Sequence, residues 1–110
     1  MICKRYDVAV IPFPFAEIPI VKRRPTIVIS GQSFNEANGS TLVAMITSTT
    51  QSIWPSDVQI KNLVSAGLKI SCKVRWRLTT VPNDLIIRTM GELTGEDRLN
   101  CERQLAMMIA

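Results

Sequence analysis

The fold is indicated most clearly by the segment Val21-Lys22-Arg23-Arg24-Pro25-Thr26-Ile27-Val28-Ile29-Ser30, in which three cations and a proline lead into a short apolar run. Pro25 fixes its own φ and biases Arg24 towards an extended backbone, so the basic run cannot continue as a helix. The β-branched residues that follow favour a packed strand. We therefore predict a strand from Thr26 to Ser30, entered from a loop over Ala16 to Arg24. An arginine at the mouth of a strand can clamp a phosphate through its several donors, although a solvated basic loop has the same sequence pattern.

Segments on both sides of this stretch also have the composition of strands: Asp7 to Ile11, Thr41 to Ser48, Asp57 to Ile60, Ser71 to Leu78 and Leu85 to Met90. The first is expected to end at Pro12, because proline cannot donate a ladder hydrogen bond. Thr41 to Ser48 is apolar and then hydroxyl-rich, as in a buried central strand that opens into a polar site. The segment from Ser71 alternates between Cys72, Val74, Trp76 and Leu78 and the cations Lys73, Arg75 and Arg77. This alternation predicts one core face and one basic stripe.

Polar segments between these strands predict connections. Gln32 to Ser40 contains Asn38-Gly39, a strong turn signal. Thr79 to Asp84 is expected to turn around its proline. Lys61 to Gly67 has the length of one helical turn closed by its terminal glycine.

The end of the chain predicts a helix. It is expected to start at Thr94, with Asp97 completing a capping box, and Cys101, Leu105, Met108 and Ile109 recur at helical spacing. About six strands and a single late helix predict a mainly β fold. We expect one domain over residues 1–110, a small antiparallel barrel or sheet with the helix packed on one side.

Composition excludes several classes of site. A chain of 110 residues with 46% hydrophobic content can bury one core. No apolar run approaches the roughly 20 residues that span a bilayer, and the start of the chain lacks the apolar segment of a signal peptide, so we expect a cytoplasmic protein that contacts no membrane. Three cysteines without a CxxC motif predict free thiols and no zinc site.

The chain has no histidine, which excludes Ser-His-Asp and Cys-His catalysis and HExxH metal sites. We therefore expect no metal and no cofactor. The formal charge is +4, and six cations but only one acid lie between Lys61 and Arg88, while acids gather towards the C-terminus. This distribution favours a surface that faces a polyanion, although charge alone specifies neither sequence nor strandedness.

In their order and spacing, these residues resemble the MazF/PemK toxin family of type II toxin–antitoxin modules. The resemblance rests on Asp7, Pro12-Phe13-Pro14-Phe15, Lys22-Arg23-Arg24-Pro25, Ala44-Met45-Ile46-Thr47-Ser48, Trp54-Pro55-Ser56-Asp57, Gly67-Leu68, Val74-Arg75 and Gly91-Glu92-Leu93. No single piece is specific, but their joint order over the chain makes chance agreement improbable. The family resemblance implies a small SH3-like antiparallel β-barrel with a C-terminal helix, usually a homodimer.

The resemblance also implies an activity. Most members of the family are metal-independent endoribonucleases, or mRNA interferases, which cut single-stranded RNA at short sequences and leave a cyclic phosphate and a 5′-hydroxyl. The positions that match the family's catalytic residues are Arg24, Thr47 and Arg75. Further RNA contacts are expected from Phe15, Lys22, Arg23, Ser48, Trp54, Lys73 and Arg77. A cognate antitoxin is implied as partner, with an acidic tail that lies across the basic groove.

Two positions depart from the family pattern. Some relatives have an aspartate two residues after the arginine that matches Arg75, but this chain has Arg77, so the group that accepts the proton stays open. Tyr6 stands where a glycine is usual, and it either alters the first loop or offers a stacking ring. Trp76 alternates with basic residues and is expected in the core, whereas Trp54 and Phe15 are the better candidates for stacking on bases.

Two other functions are compatible with these residues. One is a CcdB-like gyrase inhibitor, which shares the fold and has no RNA chemistry; the retained Arg24, Thr47 and Arg75 favour the nuclease. The other is an inactive basic barrel that only binds nucleic acid. Without the family match, the hydroxyls at 47 and 48 would be ordinary strand-end residues, and the arginines at 75 and 77 a solvated face.

Overall fold

The computed structural model describes residues 1–13 and 22–110. Within these ranges, six strands form one antiparallel sheet in the order β4-β5-β3-β2-β1-β6. The strands are β1 Asp7–Phe13, β2 Lys22–Val28, β3 Ser40–Ser48, β4 Val58–Gln59, β5 Cys72–Pro82 and β6 Arg88–Glu92. The helices are α1 Gln32–Asn38, α2 Leu63–Ala66 and α3 Gly95–Met108, and a 3-10 turn spans Asn83–Leu85. The sheet curls into a half-barrel with β4 and β6 at its edges, which confirms the predicted mainly β fold with a C-terminal helix.

The two faces of the sheet support two hydrophobic cores. The larger core contains Tyr6, Val8, Ile27, Ile29, Ala44, Ile46, Ile60, Ala66, Cys72, Val74, Trp76, Leu93 and Cys101. The smaller core, on the other face, contains Cys3, Ala9, Ile11, Val28, Val43, Met45, Val81 and Ile86, with Phe13 packed against it. Cys101 of α3 and Leu105 pack on the larger core, so the helix covers that face. Since all three cysteines are buried and free, the prediction of free thiols is confirmed.

Both Pro12 and Pro25 lie inside strands, which corrects two predictions. β1 continues through Pro12 to Phe13, and β2 already begins at Lys22, so the residues from there to Arg24 are not a loop. Pro12 pairs only with β2, because the pairing of β1 with β6 stops at Val10. At Pro12, β1 therefore has one unpaired side, and the N–H that proline lacks is not needed for a ladder hydrogen bond there. The rest of the predicted loop lies outside the described residues.

The predicted connection from Gln32 to Ser40 contains helix α1. The prediction was wrong because the helix has only seven residues and buries one polar side chain, Asn35, so it shows no apolar periodicity. Gly39 has φ 65° and ends the helix as a left-handed C-cap. The pair Asn38-Gly39, which predicted a turn, therefore marks the end of a helix.

The fifth strand is longer than predicted, and the sixth strand begins later than predicted. β5 runs past Leu78 to Pro82, because β3 continues to pair with it as far as Ser40. The expected turn therefore falls on the 3-10 segment, and β6 starts only at Arg88. Sequence alone could not place this boundary, since threonine and valine are compatible with a strand on either side of it.

The predictions of a short helix before Gly67 and of a C-terminal helix are both confirmed in outline. Gly67 closes α2 with φ 73°, as expected. Thr94 is the N-cap of α3, as predicted, but its side chain makes no capping hydrogen bond. The capping box is not formed, because Asp97 is 2% exposed and its carboxylate accepts the backbone N–H groups of Lys61 and Asn62 at 2.9 Å each. Met108 and Ile109 are exposed, so the packed stripe is shorter than predicted. None of the helices in the described part of the chain has the length and hydropathy needed to cross a membrane.

Candidate active site

The candidate catalytic side chains lie on one face of the sheet. Thr26 pairs with Met45, and Met45 pairs with Arg75, so these three share the face of the smaller core. Side chains at every second position of a strand point to the same face. Arg24, two residues before Thr26, and Thr47, two residues after Met45, therefore lie on that same face. Arg24, Thr47 and Arg75 all line one groove of about 620 Å³. The fold therefore brings together three residues that are distant in sequence.

The groove combines apolar and polar walls. The apolar part consists of Phe13, Pro25, Met45, Ile46, Leu68, Ile70, Cys72 and Leu78, and the remaining polar part of Ser48, Gln51, Ser52, Arg77 and Thr79. None of the described side chains that line it is a carboxylate. Over residues 1–13 and 22–110, no three acidic or cysteine side chains gather as metal ligands. The groove thus offers cations, hydroxyls and apolar surface.

An irregularity in β5 shapes the groove. Ala44 pairs with Leu78, but the next residue, Met45, pairs with Arg75, so Trp76 and Arg77 have no partners on β3. Such bulges bend a strand and change the direction of its side chains. Here the indole packs into the larger core, and the arginine is exposed and lines the groove. The expectation that Trp76 is a core residue is confirmed.

Arg75 is held by Asp57, which ends the loop between β3 and β4. Its Nε donates to Asp57 Oδ1 at 2.8 Å and its Nη2 donates to Asp57 Oδ2 at 3.1 Å. Nη2 also donates to the carbonyl of Ser52. Lys73 Nζ lies 3.0 Å from Asp57 Oδ2 and donates to the carbonyls of Gln51 and Ser52 at 3.1 Å each. The alternative of a solvated face therefore does not hold for Arg75, because Arg75 and its neighbour in the basic stripe, Lys73, are both buried under this loop.

The carboxylate of Asp57 remains ionised in this cluster. Burial by itself would raise its pKa, but hydrogen bonds from Arg75, from the backbone N–H of Trp54 and from Lys73 outweigh burial and lower the pKa to about 2. Sequence reasoning placed Asp57 only at the start of a strand and missed this role. The only available signal was its place in the segment Trp54-Pro55-Ser56-Asp57, which says nothing about its partner across the sheet.

Trp54 packs on the arginines of β5. The guanidinium carbons of Arg75 and Arg77 lie 4.7 and 5.4 Å from the centroid of the indole ring. These are cation–π contacts, which favour a fixed guanidinium orientation. Trp54 does not itself line the groove. Its ring therefore supports the groove's arginines, and its predicted stacking on a base stays a prediction.

The other predicted RNA contacts are distributed unevenly. Ser48 and Arg77 line the groove, whereas Lys73 is enclosed by its loop. Lys22 and Arg23 are exposed on β2 and do not line the groove, and Phe15 lies outside the described residues. Phe13 lines the groove but was not predicted, because it was assigned to the segment that ends β1.

Tyr6 is a core residue. It is 5% exposed in the larger core, and its ring centroid lies 4.8 Å from the guanidinium carbon of Arg5 and 5.5 Å from that of Arg98. Its φ of 72° is a backbone geometry that favours glycine, the residue that the family resemblance led us to expect at this position. The structure thus excludes a role for this ring in stacking on bases.

Comparisons with known proteins identify the family and the fold. A family model described as the PemK-like, MazF-like toxin of type II toxin–antitoxin systems matches residues 4–109. No protein of curated function matches the sequence. Many solved structures, by contrast, share the fold.

A mycobacterial endoribonuclease solved with its cognate antitoxin has a TM-score of 0.76 and 16% identity, over 98% of this chain and 93% of that one. A MazE–MazF structure from Deinococcus radiodurans has a TM-score of 0.77 and 14% identity, over 99% and 97%. The toxin MazF-mt6 of Mycobacterium tuberculosis has a TM-score of 0.68 and 17% identity, over 96% of both chains. Identities this low establish a shared fold only. The family match covers nearly the whole chain, and the protein therefore belongs to the PemK-like, MazF-like toxins of type II toxin–antitoxin systems.

Proposed function

We propose that this toxin is a metal-independent, sequence-specific endoribonuclease that cuts single-stranded RNA in the groove described above. The observation that supports the proposal best is the convergence of Arg24, Thr47 and Arg75 on one groove from three different strands. Two of the solved structures that share the fold are described as endoribonucleases, which agrees with this assignment.

The proposed reaction is a transesterification within the RNA chain. The 2′-oxygen attacks the adjacent phosphorus, the bond from phosphorus to the 5′-oxygen breaks, and the products are a 2′,3′-cyclic phosphate and a 5′-hydroxyl. One proton leaves the 2′-oxygen and one reaches the 5′-oxygen, so no water is consumed. Negative charge grows on the phosphate oxygens in the transition state, and fixed donors aimed at that charge accelerate the reaction.

Three side chains supply these donors. Arg24 is exposed on β2 and can reach a phosphate from solvent. Arg75 has a guanidinium whose orientation is already set. Thr47 adds a hydroxyl from the end of β3. A fork of arginine donors suits the several oxygens of a phosphorane, and a hydroxyl can hold one more.

The apolar wall supports a preference for single strands. Phe13, Leu68 and Ile70 offer surface against which unpaired bases can pack, and Ser48 and Arg77 offer hydrogen bonds to base edges or phosphates. In a duplex the base faces are stacked on each other and not available. Lys22 and Arg23, outside the groove on β2, would contact flanking phosphates.

We also propose a cognate antitoxin and a homodimeric state in the cytoplasm. Relatives of the same fold have been solved with an antitoxin bound, including a cognate pair and MazE–MazF. A groove with arginines and apolar side chains would accept a segment that alternates acidic and apolar residues. Such a segment would order on binding and cover the groove.

The test is incubation of the purified protein with a long single-stranded RNA in the presence of EDTA, followed by mapping of the ends. We expect discrete cuts at one short sequence with cyclic phosphate on the upstream fragment. Intact RNA from folded protein, tried on several RNAs, would contradict the proposal. Retention of a topoisomerase in a pull-down would then favour a gyrase inhibitor, and salt-dependent RNA binding without cutting would favour an inactive barrel.

A further inference from the structure

Arg75 is bound through one edge of its guanidinium. Asp57 accepts from Nε and Nη2 at 2.8 and 3.1 Å, which is a side-on bidentate pair. Such a pair defines the plane of the guanidinium as well as its position. The side chain of Asp57 is 9% exposed, so solvent screens the pair only weakly. Within the described residues Nη1 has no hydrogen-bond partner, and this nitrogen is the part of the group that remains for a substrate.

The cluster keeps a positive charge. Lys73 and Arg75 contribute two cations and Asp57 one anion, so one net positive charge remains beside the groove. The carboxylate therefore orients the arginine without cancelling the attraction of the site for phosphate. The two cations also hold the loop that contributes Gln51 and Ser52 to the groove, since Lys73 and Arg75 donate to the carbonyls of these residues.

Both oxygens of Asp57 already accept hydrogen bonds from cations or backbone. Oδ1 accepts from Arg75, and Oδ2 accepts from the N–H of Trp54 as well as from Arg75. A carboxylate in this state is a poor acceptor for the 2′-hydroxyl proton, and the residue does not line the groove. Its influence on the reaction must therefore pass through Arg75.

We propose that Asp57 is a positioning residue, which holds the guanidinium of Arg75 with Nη1 available to the scissile phosphate. The inference rests on the proposed nuclease function, because it assigns a role in that reaction. Asparagine at this position keeps one acceptor but turns an amide N–H towards the cations. The guanidinium then loses its second hydrogen bond and its fixed plane.

The test uses a short RNA that carries the mapped cut site and measures kcat and KM for wild type, Asp57→Asn, Arg75→Ala and the double variant. We expect Asp57→Asn to lower kcat on the order of 10- to 100-fold, as for a misplaced catalytic group. KM should stay equal or fall, since removal of one negative charge strengthens phosphate attraction. In the Arg75→Ala background, the same substitution should lower kcat no further, because there is no guanidinium left to orient.

A control separates positioning from stability. Asp97→Asn removes another buried carboxylate that also accepts two hydrogen bonds and does not line the groove, so it should lower the melting temperature and leave kcat unchanged. If Asp57→Asn does not fold, Asp57→Glu keeps the charge, displaces the guanidinium by one methylene and should still lower kcat.

The outcomes distinguish the two proposals. Wild-type kcat in folded Asp57→Asn, or an equal loss with and without Arg75, would overturn the positioning role while the nuclease function stands. Wild-type protein that cuts no RNA would overturn both.

Discussion

Gly67 and Gly91 bring the end of α2 and strand β6 into direct backbone contact. A Cβ atom on Gly67 would lie 2.2 Å from the carbonyl oxygen of Met90, and one on Gly91 would lie 2.2 Å from the carbonyl oxygen of Ser65. Leu68 follows directly, and with Ile70 it lines the groove. The contact thus fixes the start of the segment that provides one apolar wall of the candidate site.

Alanine at either glycine should destabilise the fold. Gly67→Ala combines the clash with a φ of 73°, and we expect a loss of at least about 2 kcal/mol in the free energy of unfolding. Gly91→Ala has the clash without the positive φ, and we expect a loss of about 1 to 3 kcal/mol. Denaturant unfolding monitored by tryptophan fluorescence measures both.

The same series contains its own controls. Gly39→Ala has a φ of 65° but open space around the new methyl group, so it should cost about 1 kcal/mol. Gly31→Ala has neither feature and should stay within about 1 kcal/mol of wild type. Equal losses at all four positions would show that the close approach is not what requires glycine.

Arg24→Ala should abolish cleavage with little effect on stability. The side chain is exposed, so its removal costs no packing, but it takes a cation from the groove. Loss of a donor to developing charge typically lowers kcat on the order of 100- to 1,000-fold. Gel assays with the mapped RNA measure the rate, and circular dichroism checks the fold.

The matched control is Arg88→Ala, which removes an equal charge from an exposed position on β6 outside the groove. It should retain kcat. A loss of less than tenfold in Arg24→Ala would indicate that this arginine contributes to binding alone.

Thr47 tests the need for a hydroxyl. Thr47→Val keeps the β-branched shape that suits the end of β3 and removes the hydroxyl, whereas Thr47→Ser keeps the hydroxyl. We expect valine to lower kcat on the order of 100-fold and serine to lower it much less. Similar rates in the two variants would mean that the hydroxyl does not contact the reacting phosphate.

The ion cluster of Asp57, Lys73 and Arg75 predicts how stability depends on pH. Asp57 has its pKa lowered from 3.8 to about 2 in the folded protein, so the unfolded chain takes up a proton first as the pH falls. The stabilisation is complete above this unfolded-state pKa of 3.8 and is lost as the pH falls towards the folded value. The difference in unfolding free energy between wild type and Asp57→Asn should therefore be constant near neutral pH and shrink between about pH 4 and pH 2.

Urea unfolding of wild type and Asp57→Asn, from neutral pH down to about pH 2, measures this difference in unfolding free energy. A difference that stays constant down to pH 2 would contradict the ion pairing of Asp57 with Arg75 and Lys73.

The individual strands were more predictable from the sequence than the groove was. The runs around Ile27 and Val43 predicted two packed strands, and both residues are buried, because β-branched apolar segments favour strands. The family resemblance named Arg24, Thr47 and Arg75, but periodicity alone did not show that they meet. Their proximity depends on strand pairing between distant segments, which composition does not encode.

The ion pairs that hold Arg75 in the site could not be predicted from the pattern of polar and apolar residues. The alternation on β5 placed Lys73 and Arg75 on a basic stripe opposite the core, but it did not show that the loop ending in Asp57 folds over them. A polar side chain in an alternating strand can be exposed, or it can be buried if another side chain pairs with it. The strand's own sequence does not show whether such a partner is present. The bulge at Trp76 and Arg77 was invisible for a similar reason, since it depends on the register with β3.

The most direct test of the proposed chemistry is a substrate with a single 2′-deoxy nucleotide at the mapped cut site, compared with the all-ribose RNA in EDTA. If the 2′-oxygen attacks the phosphorus, the deoxy substrate should bind but stay intact at that site, and the ribose substrate should yield a cyclic phosphate. Cleavage of the deoxy substrate at the same position and rate would contradict transesterification in the groove of Arg24, Thr47 and Arg75.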